Sequence, residues 1–145
     1  MTTSNFDNDG KPIIISFWAT WCKPCKKEIP IIREIHNQWK DKGVKIAYVG
    51  LSQNAKELSP FVKEQNFPWP VIPDSFGLLG RRYGVTELPH LFVVDKGGKL
   101  AFQHRGATPE LKELLDNQLS SMTGVAVAKK PAAQIVSKRF DKTLT

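Results

Sequence analysis

Two kinds of hydrophobic pattern alternate along the chain and predict its main elements. Continuous apolar runs, rich in β-branched and aromatic residues, occupy residues 12–18, 44–51 and 91–94, and they predict buried strands. Apolar residues at helical spacing occupy residues 26–40 and 111–119, and they predict amphipathic helices. The alternation predicts an α/β fold in which a mixed central sheet has helices on both faces.

The middle of the chain gives weaker signals. Residues 55–65 have helical spacing, but Ser59 and Pro60 resemble an N-cap and a first-turn proline, which favours a helix in two pieces. The proline-dense stretch 67–73 allows at most a short edge strand. Residues 75–83 predict a short helix.

The last elements are predicted to be a hairpin and a helix. Residues 100–104 form a second strand signal after residues 91–94, and the sequence 95–98 is typical of a hairpin turn. Thr108, Pro109 and Glu110 predict the cap of the final helix. Four leucines are expected to share the buried face of that helix: Leu111, Leu114, Leu115 and Leu119.

Composition and charge bound the class of protein. A chain of 145 residues, 41% apolar and 24% charged, predicts one soluble domain over residues 1–122, followed by a loosely attached basic tail over residues 123–145. The formal net charge is +7, but five cations and one acid follow residue 125, so the body carries about +3. Nucleic-acid binding is not expected, because no aromatic–basic interleaving accompanies these charges. No apolar run is long enough to predict a membrane span.

The only two cysteines, Cys22 and Cys25, lie where the first strand turns into the first helix. A helix start presents unpaired N–H groups and a partial positive charge, and Lys23 adds a full one, so a thiolate is favoured at Cys22. We expect Cys22 to be exposed and to attack, and Cys25, one turn further in, to be the resolving thiol. Pro24 suits the first helical turn, where its missing N–H costs nothing.

Other uses of two cysteines remain as alternatives. The pair could be a structural disulfide in a non-catalytic binding module, or it could bind copper in a metallochaperone. A haem-attachment site would need histidine directly after Cys25, where Lys26 stands. Two cysteines by themselves do not form a four-ligand zinc site.

The run of residues 17–28, Phe-Trp-Ala-Thr-Trp-Cys-Lys-Pro-Cys-Lys-Lys-Glu, together with Pro30, resembles the thioredoxin superfamily, and within it the TlpA/ResA-type thiol–disulfide oxidoreductases. The resemblance covers roughly residues 10–119. It implies a thioredoxin fold that carries a TlpA-type helix and strand insertion at about residues 52–83.

The same resemblance implies roles for residues outside the cysteine pair. Pro89 is expected to be a cis-proline beside the disulfide, and Leu88 to offer backbone groups to a substrate chain. Trp21 is expected to form an apolar rim around Cys22. Thioredoxin itself has a buried acid where Ser16 stands here, so Glu28, which many TlpA/ResA-type proteins match, becomes the candidate proton acceptor for Cys25.

These features predict thiol–disulfide exchange with disulfide-bearing proteins, in the reductase direction that the resemblance favours. No metal or organic cofactor is expected, and an upstream protein is expected to supply electrons to a monomer. The first residues lack the pattern of a signal peptide. We therefore expect the bacterial periplasm or cell envelope if the N-terminus has been trimmed, and the cytoplasm otherwise.

Overall fold

A computed structural model describes residues 11–95 and 98–125. Its core is one five-stranded sheet in the order β3-β2-β1-β4-β5. The strands are β1 (Ile13–Trp18), β2 (Lys45–Leu51), β3 (Val71–Asp74), β4 (His90–Val94) and β5 (Leu100–Arg105). The helices are α1 (Lys23–Trp39), α2 (Ala55–Gln65), α3 (Leu78–Arg82) and α4 (Leu111–Thr123), and a single 3₁₀ turn (Lys40–Lys42) follows α1.

The sheet is mixed, with β1 at its centre. Strand β1 pairs in parallel with β2, which pairs in parallel with β3. On its other side β1 pairs antiparallel with β4, and β5 completes a hairpin with β4. The mixed sheet and the short edge strand β3 confirm the predicted fold. The predicted turn at residues 95–98 falls partly outside the described residues.

Alternation along β1 sends its side chains into two separate cores. Ile14 and Trp18 pack with the buried residues of α1, α2 and α4 on one face of the sheet. Ile15 and Phe17 pack on the other face, where Leu79 of α3 and the ring of Tyr83 cover them. Helices therefore cover both faces, as predicted.

Helix α2 is a single helix, so the predicted break before Pro60 is wrong. The helix starts earlier, at a capping box in which the Asn54 side chain accepts from the Glu57 N–H at 2.8 Å and Glu57 accepts from the Asn54 N–H at 2.9 Å. Leu58 is buried in the core ahead of Pro60. The capping box and the burial of Leu58 stabilise the first turn of α2, and the helix continues from that turn through Pro60.

Two predictions about α4 are also wrong. The Thr108 hydroxyl bonds to His104 Nε2 at 2.9 Å, and α4 begins after Glu110 without a side-chain cap. Leu114 is 38% exposed, because the buried stripe follows a spacing of four residues through Leu111, Leu115 and Leu119.

The predicted boundary at residue 122 falls in the last turn of α4. Val125 packs partly against the core, and its carbonyl accepts from Ser120 Oγ at 2.7 Å. The rest of the predicted tail, residues 126–145, lies outside the described residues.

A buried polar contact ties α1 to α4. Trp39 Nε1 donates to Asp116 Oδ1 at 2.9 Å, and Lys112 forms an ion pair with the same carboxylate at 2.6 Å. Asp116→Ala should leave the buried indole N–H without its acceptor and lower the free energy of unfolding by about 1–3 kcal/mol. Urea unfolding measures this, with the exposed Glu113→Ala on the same helix as control. Equal losses in the two variants would contradict this account.

Candidate active site

The cysteine pair caps the first helix. The disulfide joins Cys22, the N-cap residue of α1, to Cys25 in its first turn, and their Cα atoms lie 5.3 Å apart. The Cys25 backbone N–H donates to Cys22 Sγ at 3.2 Å. Pro24 lies in the first turn, which contains no acidic residue. Negative charge on Cys22 Sγ is favoured by the Cys25 N–H, by the start of the helix and by the nearby Lys23.

Both cysteines are buried, and Cys25, as predicted, is the less accessible of the two. Cys22 is 4% exposed and Cys25 is 2% exposed, so the prediction of an exposed Cys22 is wrong for this oxidised state. Cys22 instead lines a cleft, in which neighbouring residues cover much of its surface. A substrate sulfur must therefore enter this cleft to reach Cys22.

The cleft has a volume of about 310 Å³ and two main walls. One wall is residues 21–24, and the other is residues 85–88; Leu51 also lines the cleft. Trp21 is 70% exposed and stands at the rim, where it was expected. The Leu88–Pro89 peptide bond is cis, which is the geometry that the resemblance implied. The structure thus brings the cysteines together with Trp21, Lys23, Pro24 and Leu88.

Glu28 lies on α1 three residues after Cys25, and it does not line the cleft. Its side chain is buried and accepts from Ser16 Oγ at 2.8 Å and from the Tyr48 hydroxyl at 3.5 Å. Its Oε2 atom has no hydrogen-bond partner among the described residues. These bonds go to β1 and β2 and none reaches Cys25, although residues three apart on a helix share a face.

Burial raises the pKa of Glu28 from its ordinary value of 4.5 to about 7, and the hydrogen bonds from Ser16 and Tyr48 offset only part of this effect. Burial, and then the charge of Glu28, raise the pKa of Tyr48 well above its ordinary value, so Tyr48 stays a neutral donor. The Glu28 carboxyl can therefore gain or lose a proton near neutral pH.

A contact that no sequence pattern predicted holds the active-site loop in place. Gln53 Oε1 accepts from the Thr20 N–H at 2.9 Å, and Gln53 Nε2 donates to Thr20 Oγ1 at 2.8 Å. This two-bond contact joins the loop after β2 to the loop that carries Trp21 and Cys22. Ser16, Tyr48 and Gln53 were not foreseen as contributors, because no local pattern links residues this far apart in the chain.

The described residues contain no cluster of three or more acidic, histidine or cysteine side chains placed to hold a metal ion. Within the same part of the chain, no helix combines the length and apolarity that crossing a bilayer requires.

The geometry agrees with that of known proteins. The redoxin family model matches residues 1–119. The chain belongs to the redoxin family. This redoxin is 37% identical over 117 residues to the thiol-disulfide oxidoreductase ResA of Bacillus thuringiensis subsp. konkukian. The match covers 81% of this chain and 66% of that protein, so the chain spans just under two thirds of its curated relative.

Solved structures give the same placement. A Chlorobium tepidum protein, provisionally described as the thiol:disulfide interchange protein DsbE, superposes on this redoxin with a TM-score of 0.76 and 31% identity, covering 81% of this chain and 84% of that one. A thioredoxin-like protein from Porphyromonas gingivalis gives a TM-score of 0.71 and 33% identity, covering 81% and 79%. The predicted membership of the thioredoxin superfamily, close to ResA-type proteins, is confirmed.

The raised pKa of Glu28 predicts how stability depends on pH. The folded protein binds this proton more tightly than the unfolded chain does, so stability should fall as pH rises from about 4.5 to about 7 and then level off. Glu28→Gln should remove this loss, and the two oxidised proteins should diverge by on the order of 3 kcal/mol across that window. Urea unfolding at several pH values measures it.

The exposed Glu34→Gln on the same helix is the matched control and should follow the wild type. Parallel curves for wild type and Glu28→Gln would show that Glu28 is not held protonated by its surroundings.

Proposed function

We propose that this redoxin is a thiol–disulfide oxidoreductase that reduces disulfides in protein substrates. The observation that carries the proposal is the position of Cys22 Sγ, which accepts a backbone N–H at the start of α1 and opens onto a cleft. A purely structural disulfide would need neither feature. The names of the ResA and DsbE relatives support the same chemistry.

The reaction would proceed in two exchanges. In the reduced protein, the Cys22 thiolate attacks one sulfur of the substrate disulfide, forms a mixed disulfide and releases the other substrate sulfur as a thiolate that takes up a proton. Cys25 then loses its proton and attacks Cys22 Sγ. The second substrate thiol leaves, the substrate is reduced by two electrons, and the Cys22–Cys25 disulfide forms.

The cleft walls would orient the substrate. Trp21 offers an exposed apolar surface beside Cys22, and Leu88 offers backbone groups on the opposite wall. Exchange requires three sulfurs in line, so both walls would hold the substrate cysteine opposite Cys22. Pro89, at the base of that wall, would fix the direction in which Leu88 presents its backbone.

Glu28 would accept the proton of Cys25 during the second exchange. Its carboxyl has one oxygen free of hydrogen bonds among the described residues, and its pKa of about 7 suits transfer near neutral pH. Ser16 and Tyr48 hold the other oxygen, and this would leave the unbonded one available to the thiol side.

The remaining parts of the proposal concern partners. The reduced Cys22–Cys25 dithiol itself carries the two electrons, so the reaction needs no metal or organic cofactor. A second, reducing protein would regenerate the dithiol by the same exchange in the same cleft. Both partners would meet a monomer, since one chain supplies both walls of the cleft.

Cys25→Ser tests the proposal, because it removes the thiol that would resolve the mixed disulfide. This variant should accumulate covalent complexes with protein substrates in the native host, and dithiothreitol should release them. Non-reducing electrophoresis and mass spectrometry measure the complexes. The matched control is Cys22→Ser, which should trap nothing, because Cys25 does not line the cleft. Equal trapping by the two variants, or none by Cys25→Ser while the wild type reduces insulin, would refute the assignment.

Glu28→Gln tests the role of the buried acid. The amide cannot take up a proton at neutral pH, so the second exchange should slow by about 10²-fold or more, while the first is little affected. Rapid mixing of the reduced protein with a disulfide peptide separates formation of the mixed disulfide from its decay. Glu34→Gln should behave as the wild type. Equal slowing of both steps by Glu28→Gln would assign Glu28 a purely structural role.

A further inference from the structure

Exposed apolar side chains gather at the end of the sheet that carries the cleft. Five large hydrophobic residues are exposed in the described part of the chain, and three of them follow strand ends at this edge. Trp21, 70% exposed, follows β1. Phe76, 81% exposed, and Leu78, 62% exposed, follow β3. Phe76 and Leu78 have no place in the exchange reaction described above.

The parallel pairing explains why these residues lie near one another. Strands β1, β2 and β3 run in the same direction, so their C-terminal ends meet at one edge of the sheet. Two inter-strand spacings separate β1 from β3, which puts their ends about 10 Å apart. About three residues of extended chain span that distance.

A continuous bridge of contacts joins the two ends. Thr20, next to Trp21, forms two hydrogen bonds with Gln53, one as donor and one as acceptor. The Ser52 N–H donates to the Asp74 carbonyl at 2.9 Å, and the Ser52 hydroxyl lies against Gly77, between Phe76 and Leu78. These contacts therefore connect the loop of Trp21 to the segment that carries Phe76 and Leu78.

The cleft shares this connection. Leu51 lines the cleft, and its side chain packs directly against Gly80 in α3. Gly80 has no side chain, which lets Leu51 approach the helix backbone. A segment leaving the cleft over Leu51 would next meet the start of α3, where Phe76 and Leu78 stand.

Positive charge surrounds this surface. Lys23, Lys26 and Lys56 are exposed on the first turns of α1 and α2, which begin at this edge. Arg81 donates to the Phe76 carbonyl at 3.1 Å, which fixes another cation beside it. The acids at this edge are fewer than the cations. Glu57 bonds within the α2 capping box, Glu87 is exposed and lines the cleft, and Asp74 is buried and accepts from the Leu79 and Gly80 N–H groups.

We propose that the substrate docks as an extended acidic segment that crosses the ends of β1, β2 and β3, with an apolar side chain about three residues from its reacting cysteine seated on Phe76 and Leu78. This inference rests on the proposed function and names its substrate class. Charge argues against a second copy of this chain as the occupant, because it would bring the same cations to the same surface.

Three otherwise identical peptides test the proposal. Each carries a central cysteine joined through a mixed disulfide to 2-thiopyridine, with leucine three residues away on both sides. The remaining positions are glutamate, glutamine or lysine. Attack by Cys22 on the peptide sulfur releases pyridine-2-thione, and Cys25 then displaces the peptide thiol. Absorbance of the released thione gives the second-order rate constant of the reduced protein.

The glutamate peptide should react about fivefold or more faster than the lysine peptide, and this advantage should shrink as salt rises from about 0.05 M to about 0.5 M. Joint substitution of Phe76→Ser and Leu78→Ser should slow the glutamate peptide about fivefold. The matched control is Leu100→Ser, an exposed leucine at the opposite end of the sheet, which should leave the rate constant unchanged.

The neutral bis(2-hydroxyethyl) disulfide separates the two proposals, because it is too small to reach Phe76. The double variant should reduce it at the wild-type rate. If the wild type fails to reduce it, the proposed function falls and this inference falls with it. If the wild type reduces it but the three peptides react equally, or the double variant matches Leu100→Ser, the docking inference alone is overturned. A wild-type dimer that the double variant converts to monomer, measured by light scattering, would also overturn it.

Discussion

The position of β1 between a parallel and an antiparallel neighbour is the constraint on which the site depends. Antiparallel pairing sets Phe17, near the end of β1, opposite His90 at the start of β4. The chain leaving β1 toward Cys22 therefore runs beside the chain that enters β4 through Leu88 and Pro89. Parallel pairing sends β2 and β3 to the same edge, which adds Leu51 to the cleft. Two segments more than sixty residues apart thus become its opposite walls.

The buried carboxyl is the second constraint, and it has an energetic cost. An ionised carboxylate in the core would lose its hydration, so the folded state prefers the protonated acid. Ser16 occupies the strand position at which the superfamily resemblance expects an acid, and it instead donates to Glu28 from that position. The buried carboxyl of this protein is therefore on helix α1, three residues after Cys25. The core accepts the cost of burying a carboxyl at Glu28, and this is consistent with a functional role for the proton of Glu28.

Under the two proposals, the cleft and the surface around it have different roles in recognition. The sulfur of Cys22 is influenced by the helix start, by Lys23 and by the Cys25 N–H, and these would favour attack on any disulfide, whatever its substrate. The exposed ring of Trp21 and the segment after β3 lie farther out, where a longer chain would contact them. The Gln53–Thr20 hydrogen bonds connect the cleft to this outer surface, because they join the loop of Cys22 to the loop after β2. Reactivity and selectivity would then depend on different residues at the same edge of the sheet.

The sequence by itself determined the order of strands and helices, the cysteine pair at the strand–helix junction and the core face of α1, because contiguous residues encode periodicity and helix starts. The resemblance to the thioredoxin superfamily singled out Pro89 and Glu28 as candidate site residues. Sequence alone misjudged Pro60, Leu114 and the exposure of Cys22, since each depends on neighbours contributed by other elements. Only the tertiary structure placed Gln53 on Thr20 and Tyr48 on Glu28, pairs separated by 33 and 20 residues. Burial and long-range hydrogen bonding arise when distant segments pack, and no local pattern records which segments will meet.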